Sequence, residues 1–383
     1  MATFLGILGF AIVAYAFVDV LWTTFLEGGA PLTTHVCATL ARGVLSVQCW
    51  HDRRTALATT PQDAKPESLT KRGLPRSQRS RRWIASAGLV VVFATVACWG
   101  VMIWLGWTLV FLSRPDSLIG PDTHEVPSVV TRAYFVGSTI FTLGMGDYRP
   151  QGHFFQIVSA IAAGSGFILF GLALAYLVPV TSAATQKRQL AVCIWTLGKS
   201  PDDIIIRAWN GVDSTALAPH LISLIPMLAL LGENHLTYPL LHYFQSTKRS
   251  SSVAASVAAL DESITILECG MQSGCSLDLP SLGAAREAIT EYLNTLRPAL
   301  IFPARDTPPS PSLQALRDVG VPAVDDALFE AALASLSERR RLLLALVRNE
   351  GWTWDAVWPP AADPTPVFPD MKREDVKTEN VKT

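Results

Sequence analysis

Residues 142–147 read Thr-Leu-Gly-Met-Gly-Asp, and the two glycines at alternate positions can do chemistry with the backbone alone. A cation that leaves water must exchange its hydration shell for other oxygens, and carbonyls aimed at one axis can supply them. Successive carbonyls share a direction only when the backbone alternates with partly left-handed dihedrals, which glycine adopts cheaply. The carbonyls of Thr142, Leu143, Gly144 and Met145 would then line an ion path, and the Thr142 hydroxyl would add a ring of oxygens at its inner end. The apolar run ahead of the break, from residue 133, is too short to cross a bilayer. It suits a re-entrant helix over 128–141 whose negative C-terminal end faces a waiting cation. Irregular backbone at membrane depth is tolerated only where it is buried in protein or lines water. One chain supplies one loop, so a closed path calls for several chains related by rotation.

The elements that must position this loop are long apolar segments. The chain has 383 residues, half of them apolar. Its mean hydropathy of +0.31 is high for a soluble protein. Residues 83–113 and 150–186 contain no Asp, Glu, Lys or Arg, and residues 2–26 carry only Asp19. At about 1.5 Å per helical residue each is long enough for the hydrocarbon core. The first has no basic flank and no small-residue cleavage site, which favours a retained span over a signal peptide. Residues 51–82 hold nine Lys/Arg against three acids, and Lys187 and Arg188 follow the last span. The positive-inside rule therefore places 51–82 and everything after 187 in the cytoplasm, with the 142–147 loop and the N-terminus outside. A basic block can also bind nucleic acid, but beside a span the topological reading is preferred, with attraction to anionic lipid as an addition. Residues 31–50 carry His35 and Arg42 among apolar residues, which suits an interfacial helix; a fourth span is the alternative.

Taken together, the stretch resembles the pore loop of the potassium-channel family, whose signature is Thr-Val-Gly-Tyr-Gly-Asp. The matching residues are Thr142, Gly144, Gly146 and Asp147, with Pro150 shortly after. The likeness covers 83–186, an outer helix, pore helix, filter and inner helix. It implies a filter of Thr142, Leu143, Gly144, Met145, Gly146 and Asp147, braced by the pore-helix aromatics Tyr134 and Phe135. It also implies a tetramer of this chain with three further copies in the lipid bilayer, conducting K⁺ with no cofactor. Gly166 falls where the family carries a hinge glycine; Gly164 and Pro179 are further hinge candidates, and close helix packing is the other reading of the glycines. Met145 stands where the family has Tyr and cannot donate a hydroxyl hydrogen bond. Phe141 replaces a frequent Thr, and Ser138 replaces a Glu that some members pair with the filter Asp.

The whole reads as an all-α membrane protein: a first transmembrane helix in 1–30, an interfacial helix and basic loop in 31–82, the pore module in 83–186, a helical cytoplasmic domain in 187–370 and a charged tail in 371–383. In the helical domain, Val253, Val257, Leu260, Ile264 and Leu267 mark one buried face. Leu282, Ile289, Leu293 and Leu296 mark a second helix, and Phe329, Leu333, Leu336, Leu343 and Val347 a third. The apolar run 221–231 reads as domain core, Arg339–Arg341 as a solvated face, His235 and His242 as packing histidines, and Trp352, Trp354 and Trp358 as core closure. Cys269 and Cys275 are two lone thiols, a weak basis for metal. Asp19 is an intramembrane acid, with a functional role set against a structural hydrogen bond. The expected function is a potassium-selective, plasma-membrane channel. Its rivals are a weakly selective cation channel and a non-conducting sensor or scaffold; nothing in the soluble half forms a catalytic constellation that would suggest an enzyme.

Overall fold

The computed structural model describes residues 2–26, 28–36, 39, 76–120, 127–144, 146–272, 278–296 and 301–359, with the side chains of 76–87 and of residue 239 outside that description. Expectations for the basic block before 76, for most of 37–50, for Met145, for Cys275 and for the tail therefore fall outside the described residues.

Two apolar cores organise the chain. The first is built by α1 (Ala2–Phe25), α2 (Arg76–Leu112), α3 (Val129–Ile140) and α4 (Gly152–Leu197). Helix α1 lies along α2 because Gly9 and Gly106 let the backbones touch: a Cβ on Gly9 would sit 2.5 Å from the Gly106 carbonyl oxygen. Helix α4 is one unbroken element of 46 residues that runs through Pro179. At about 1.5 Å per residue that is roughly 70 Å, over twice the hydrocarbon thickness. Its second half therefore leaves the apolar layer and enters the second core.

That second core is a bundle of α5 (Pro201–Ala208), α6 (Ala218–Thr237), α7 (Val253–Cys269), α8 (Leu279–Leu296), α9 (Gln314–Asp318), α10 (Asp326–Ser335) and α11 (Ser337–Asn349). Helix α6 has the length and hydropathy to cross a membrane. Its Leu221, Leu224, Leu228 and Leu231 are nonetheless buried in the bundle core, so it forms a wall of that bundle.

Three expectations need correction here. Helix α7 is buried all round, from Val253 to Leu267, and not on one face. Its Ala254, Ala255, Ala258 and Ala259 let neighbours approach on every side. Its acids are neutralised where they stand: Arg340 meets Glu262 at 2.7 Å, and Arg339 and Arg286 meet Asp261 at 2.6 and 3.1 Å. Arg339 and Arg340 are therefore interior ion-pair partners and not part of a solvated face. Finally, the helix expected across 329–347 is two helices, parted at Leu336, which caps the end of α10 and the start of α11. The apolar spacing continues through the break, which is why the sequence reads as one.

Candidate functional site

Helix α3 begins where Ser128 accepts a hydrogen bond from the Thr131 amide at 3.1 Å, a side-chain N-cap. Its seat on α2 is fixed by Trp104, whose indole N–H donates to the Ala133 carbonyl at 2.9 Å. Arg132 reaches back from α3 to the Pro115 carbonyl at 2.8 Å and ties the loop after α2 to α3. The helix closes at Phe141, whose amide donates to the Gly137 carbonyl, and Leu143 N–H donates to the Ser138 carbonyl at 2.8 Å. The chain thus leaves the helix already held against its last turn.

From there the backbone alternates. Thr142, Gly144 and Gly146 have φ of +55°, +59° and +77°, every second residue of the stretch. Thr142 is the one described residue other than glycine with positive φ, a conformation that strains an L-residue and marks a site held by its surroundings. In such an alternation successive carbonyls can share one direction. Beyond Asp147 the chain is caught again: Arg149 and Pro150 pair antiparallel with Leu118 and Ile119, forming a two-stranded ribbon, and Gln151 N–H donates to the Ser117 carbonyl at 3.0 Å. The loop is therefore pinned at both ends.

The expected bracing residues come to the same place. Tyr134, Phe135, Ser138 and Thr139 line a cavity of about 210 Å³ with Gly144, Gly146 and Asp147 on its other wall. Phe135 also meets Phe111 of α2 in a tilted ring contact, with centroids 5.3 Å apart. Much of the loop is nonetheless exposed in the single chain. Phe141 is 71% and Leu143 67% exposed, and Thr142, Gly144, Gly146 and Asp147 are exposed as well.

The three hinge candidates differ. A Cβ on Gly166 would lie 2.0 Å from the Ile140 carbonyl oxygen, so α4 passes the end of α3 at backbone contact. Gly164 has open space around it, and Pro179 lies inside the continuous α4. Beside Gly166, Ser165 accepts from the Trp107 indole N–H at 2.9 Å, which binds the outer helix to the inner one behind the loop. Sequence reasoning passed over Trp104, Trp107 and Arg132. A signal was present, because an indole N–H inside an apolar span must find an acceptor. The intramembrane Asp19 is placed as well: its carboxylate accepts from Thr33 at 2.6 Å and from the Trp99 indole at 2.9 Å, joining α1, residues 31–36 and α2.

A family model described as "Ion channel" matches residues 97–183. The Uncharacterized membrane protein YdjJ of Bacillus subtilis (strain 168) is 32% identical over 350 residues, 91% of this chain and 94% of that protein. The chain belongs to the same family as this Bacillus membrane protein, and it carries a segment that matches the ion-channel model. No solved structure matches it. The matched segment starts in α2, includes α3 and the 142–147 loop, and ends in α4, the span of the geometry just described. The likeness to the Bacillus protein extends past it and takes in most of the helical bundle. In that bundle His235 holds its Nδ1 against the Leu231 carbonyl at 2.8 Å, and His242 meets Asn349 at 2.8 Å, both as packed side chains. Among the described residues no group of three His, Cys, Asp or Glu could hold a metal ion. Trp354 is buried, and Trp352 and Trp358 pack against the bundle core.

Proposed function

We propose that this ion channel is a homotetramer that passes K⁺ through the backbone carbonyls of Thr142, Leu143, Gly144 and Met145. The observation that carries the reading is the alternation of positive φ at Thr142, Gly144 and Gly146 on a loop that the single chain leaves exposed. Exposed irregular backbone between apolar helices needs further protein or water around it. Three further copies, related by a fourfold axis through the loop, supply both: they cover the cavity side and leave a narrow axial path. The bilayer is the plasma membrane, the loop faces outward, and the helical bundle is cytoplasmic, in keeping with the basic residues before α2 and after the apolar part of α4.

One feature favours a second reading, a weakly selective cation channel. Met145 stands where a tyrosine would stiffen the filter by a hydroxyl hydrogen bond. Reversal potentials with K⁺ on one side and Na⁺ on the other separate the two readings: a value near zero removes potassium selectivity. Purified protein in liposomes should give a Ba²⁺-sensitive K⁺ flux that Gly144→Ala abolishes. If the wild type and Gly144→Ala behave alike, the loop is not the conduction path, and a sensor or scaffold becomes the better description.

A further inference from the structure

Leu240 and Leu241 are chain neighbours with 1% and 0% exposure, yet they belong to different cores. Leu240 is part of the cluster that holds Val91, Trp99, Tyr176 and Val180 between α2 and α4. Leu241 is part of the bundle core. They sit in a short turn, Pro239–Tyr243, directly after α6. The residues that flank it, Tyr238 and Phe244, pack against both cores.

Each side of the turn has its own anchor. Toward the inner helix, Tyr238 meets Tyr176 edge-on at 6.2 Å, and Tyr176 meets Trp99 of the outer helix at 5.8 Å. Toward the outer helix, Phe244 lies so close to Gly88 that a Cβ there would be 2.7 Å from the ring. Toward the bundle, Lys187 of α4 donates to the Phe244 carbonyl at 3.1 Å and pairs with Glu350 at 2.8 Å, both side chains nearly inaccessible. Just before the turn, the Leu236 carbonyl accepts from Gly28 N–H at 3.0 Å, at the end of α1.

We propose that residues 238–244 are a wedge through which the helical bundle sets the position of the inner helix and so regulates the ion path. The physical reason is the number of attachments. Helix α4 runs into the bundle without a break, and one attachment would let the bundle swing about it. The wedge adds a second attachment, seated between α2 and α4. A displacement of the bundle then becomes a lateral shift of α4 against α2 near Tyr176, and an unbroken helix carries that shift toward Gly166 and Ile140. The regulatory consequence rests on the channel reading; the mechanical coupling does not.

Hydrogen exchange on the full chain in lipid nanodiscs tests the coupling, and K⁺ flux from liposomes tests its effect. With Leu240→Ala, exchange over 181–190 of α4 should accelerate by about tenfold or more, as loss of a buried leucine permits, and K⁺ flux should change severalfold. A second pair guards against misfolding. Gly88→Ala pushes on the Phe244 ring and should act like Leu240→Ala, and adding Phe244→Leu should return 181–190 toward wild type. The proposal is overturned if exchange over 238–244 rises in these variants while 181–190 stays as in wild type. It is also overturned if a conducting wild type and its wedge variants carry the same flux. If the wild type carries no K⁺, the channel reading falls, and the exchange result still decides the coupling.

Discussion

Gly166→Ala tests the backbone contact between α4 and the end of α3. Its added Cβ would stand 2.0 Å from the Ile140 carbonyl oxygen and 2.8 Å from the carbonyl carbon, whereas real Cβ atoms essentially never come within 3.0 Å. Both partners are backbone, so no side chain can swing away. Helices α4 and α3 must part by about 1 Å, two residues before Thr142. Overpacking of this kind costs roughly 1–3 kcal/mol, and a backbone clash belongs at the upper end or beyond. Because Ile140 closes the pore helix, the separation is delivered to the loop, whose Leu143 amide depends on the Ser138 carbonyl. Gly164→Ala is the matched control: its Cβ meets nothing within 4 Å, and alanine for glycine inside a helix favours the helix by about 1 kcal/mol. The assay is thermal unfolding in detergent together with K⁺ flux from liposomes. Gly166→Ala should melt lower and lose most of its flux, and Gly164→Ala should keep its stability. Wild-type stability and flux in Gly166→Ala would refute the contact. Equal loss of flux in both variants, with stability intact, would instead assign the pair to a bending hinge.

Three further outcomes concern the bundle and α1. Lys187→Met leaves Glu350 buried without its cation, which costs about 3–5 kcal/mol; the double variant Lys187→Met/Glu350→Gln should recover part of that loss in a thermal melt. His242 is held below its ordinary 6.5, at about 4, by burial first and by Lys187 second, with Glu350 and Asn349 opposing. The unfolded chain therefore binds the extra proton more readily, so the His242 contribution to bundle stability is complete above about pH 6.5 and is lost as pH drops toward 4, about 3 kcal/mol at most. His242→Gln should reduce the slope of that part of a melting-temperature profile, with the remainder left to His235, which burial pushes down to about 3. Asp19→Leu strands the Trp99 and Thr33 donors inside the apolar core, roughly 2–6 kcal/mol for the two, while Asp19→Asn keeps an acceptor and should melt closer to wild type.

How much of this was legible depends on whether the signal was local. The apolar segments that became α1, α2 and α4 and the break at 142–147 are contiguous in sequence, and each follows from composition or from glycine spacing alone. The ends of the long helices are less local: α2 starts at Arg76, inside the basic stretch, because nothing stops a helix where hydropathy falls. The bundle was read through helical periodicity, which assumes one wet face. That assumption fails for α7, where Asp261 and Glu262 look like surface residues until Arg286, Arg339 and Arg340 arrive from elsewhere in the chain. The wedge is the extreme case. Leu240 and Leu241 carry the same letter and stand side by side, and no property of the segment Tyr-Pro-Leu-Leu-His-Tyr-Phe assigns one to each core. Only the placement of α2 and α4 does so. The same dependence explains the Gly166 contact: a glycine in an inner helix reads equally as hinge or as close approach, and only the placement of α3 brings the Ile140 oxygen to where a Cβ would be. A residue whose meaning is set by a neighbour distant in sequence is therefore the one to mutate first, because the two readings predict different outcomes for the same alanine.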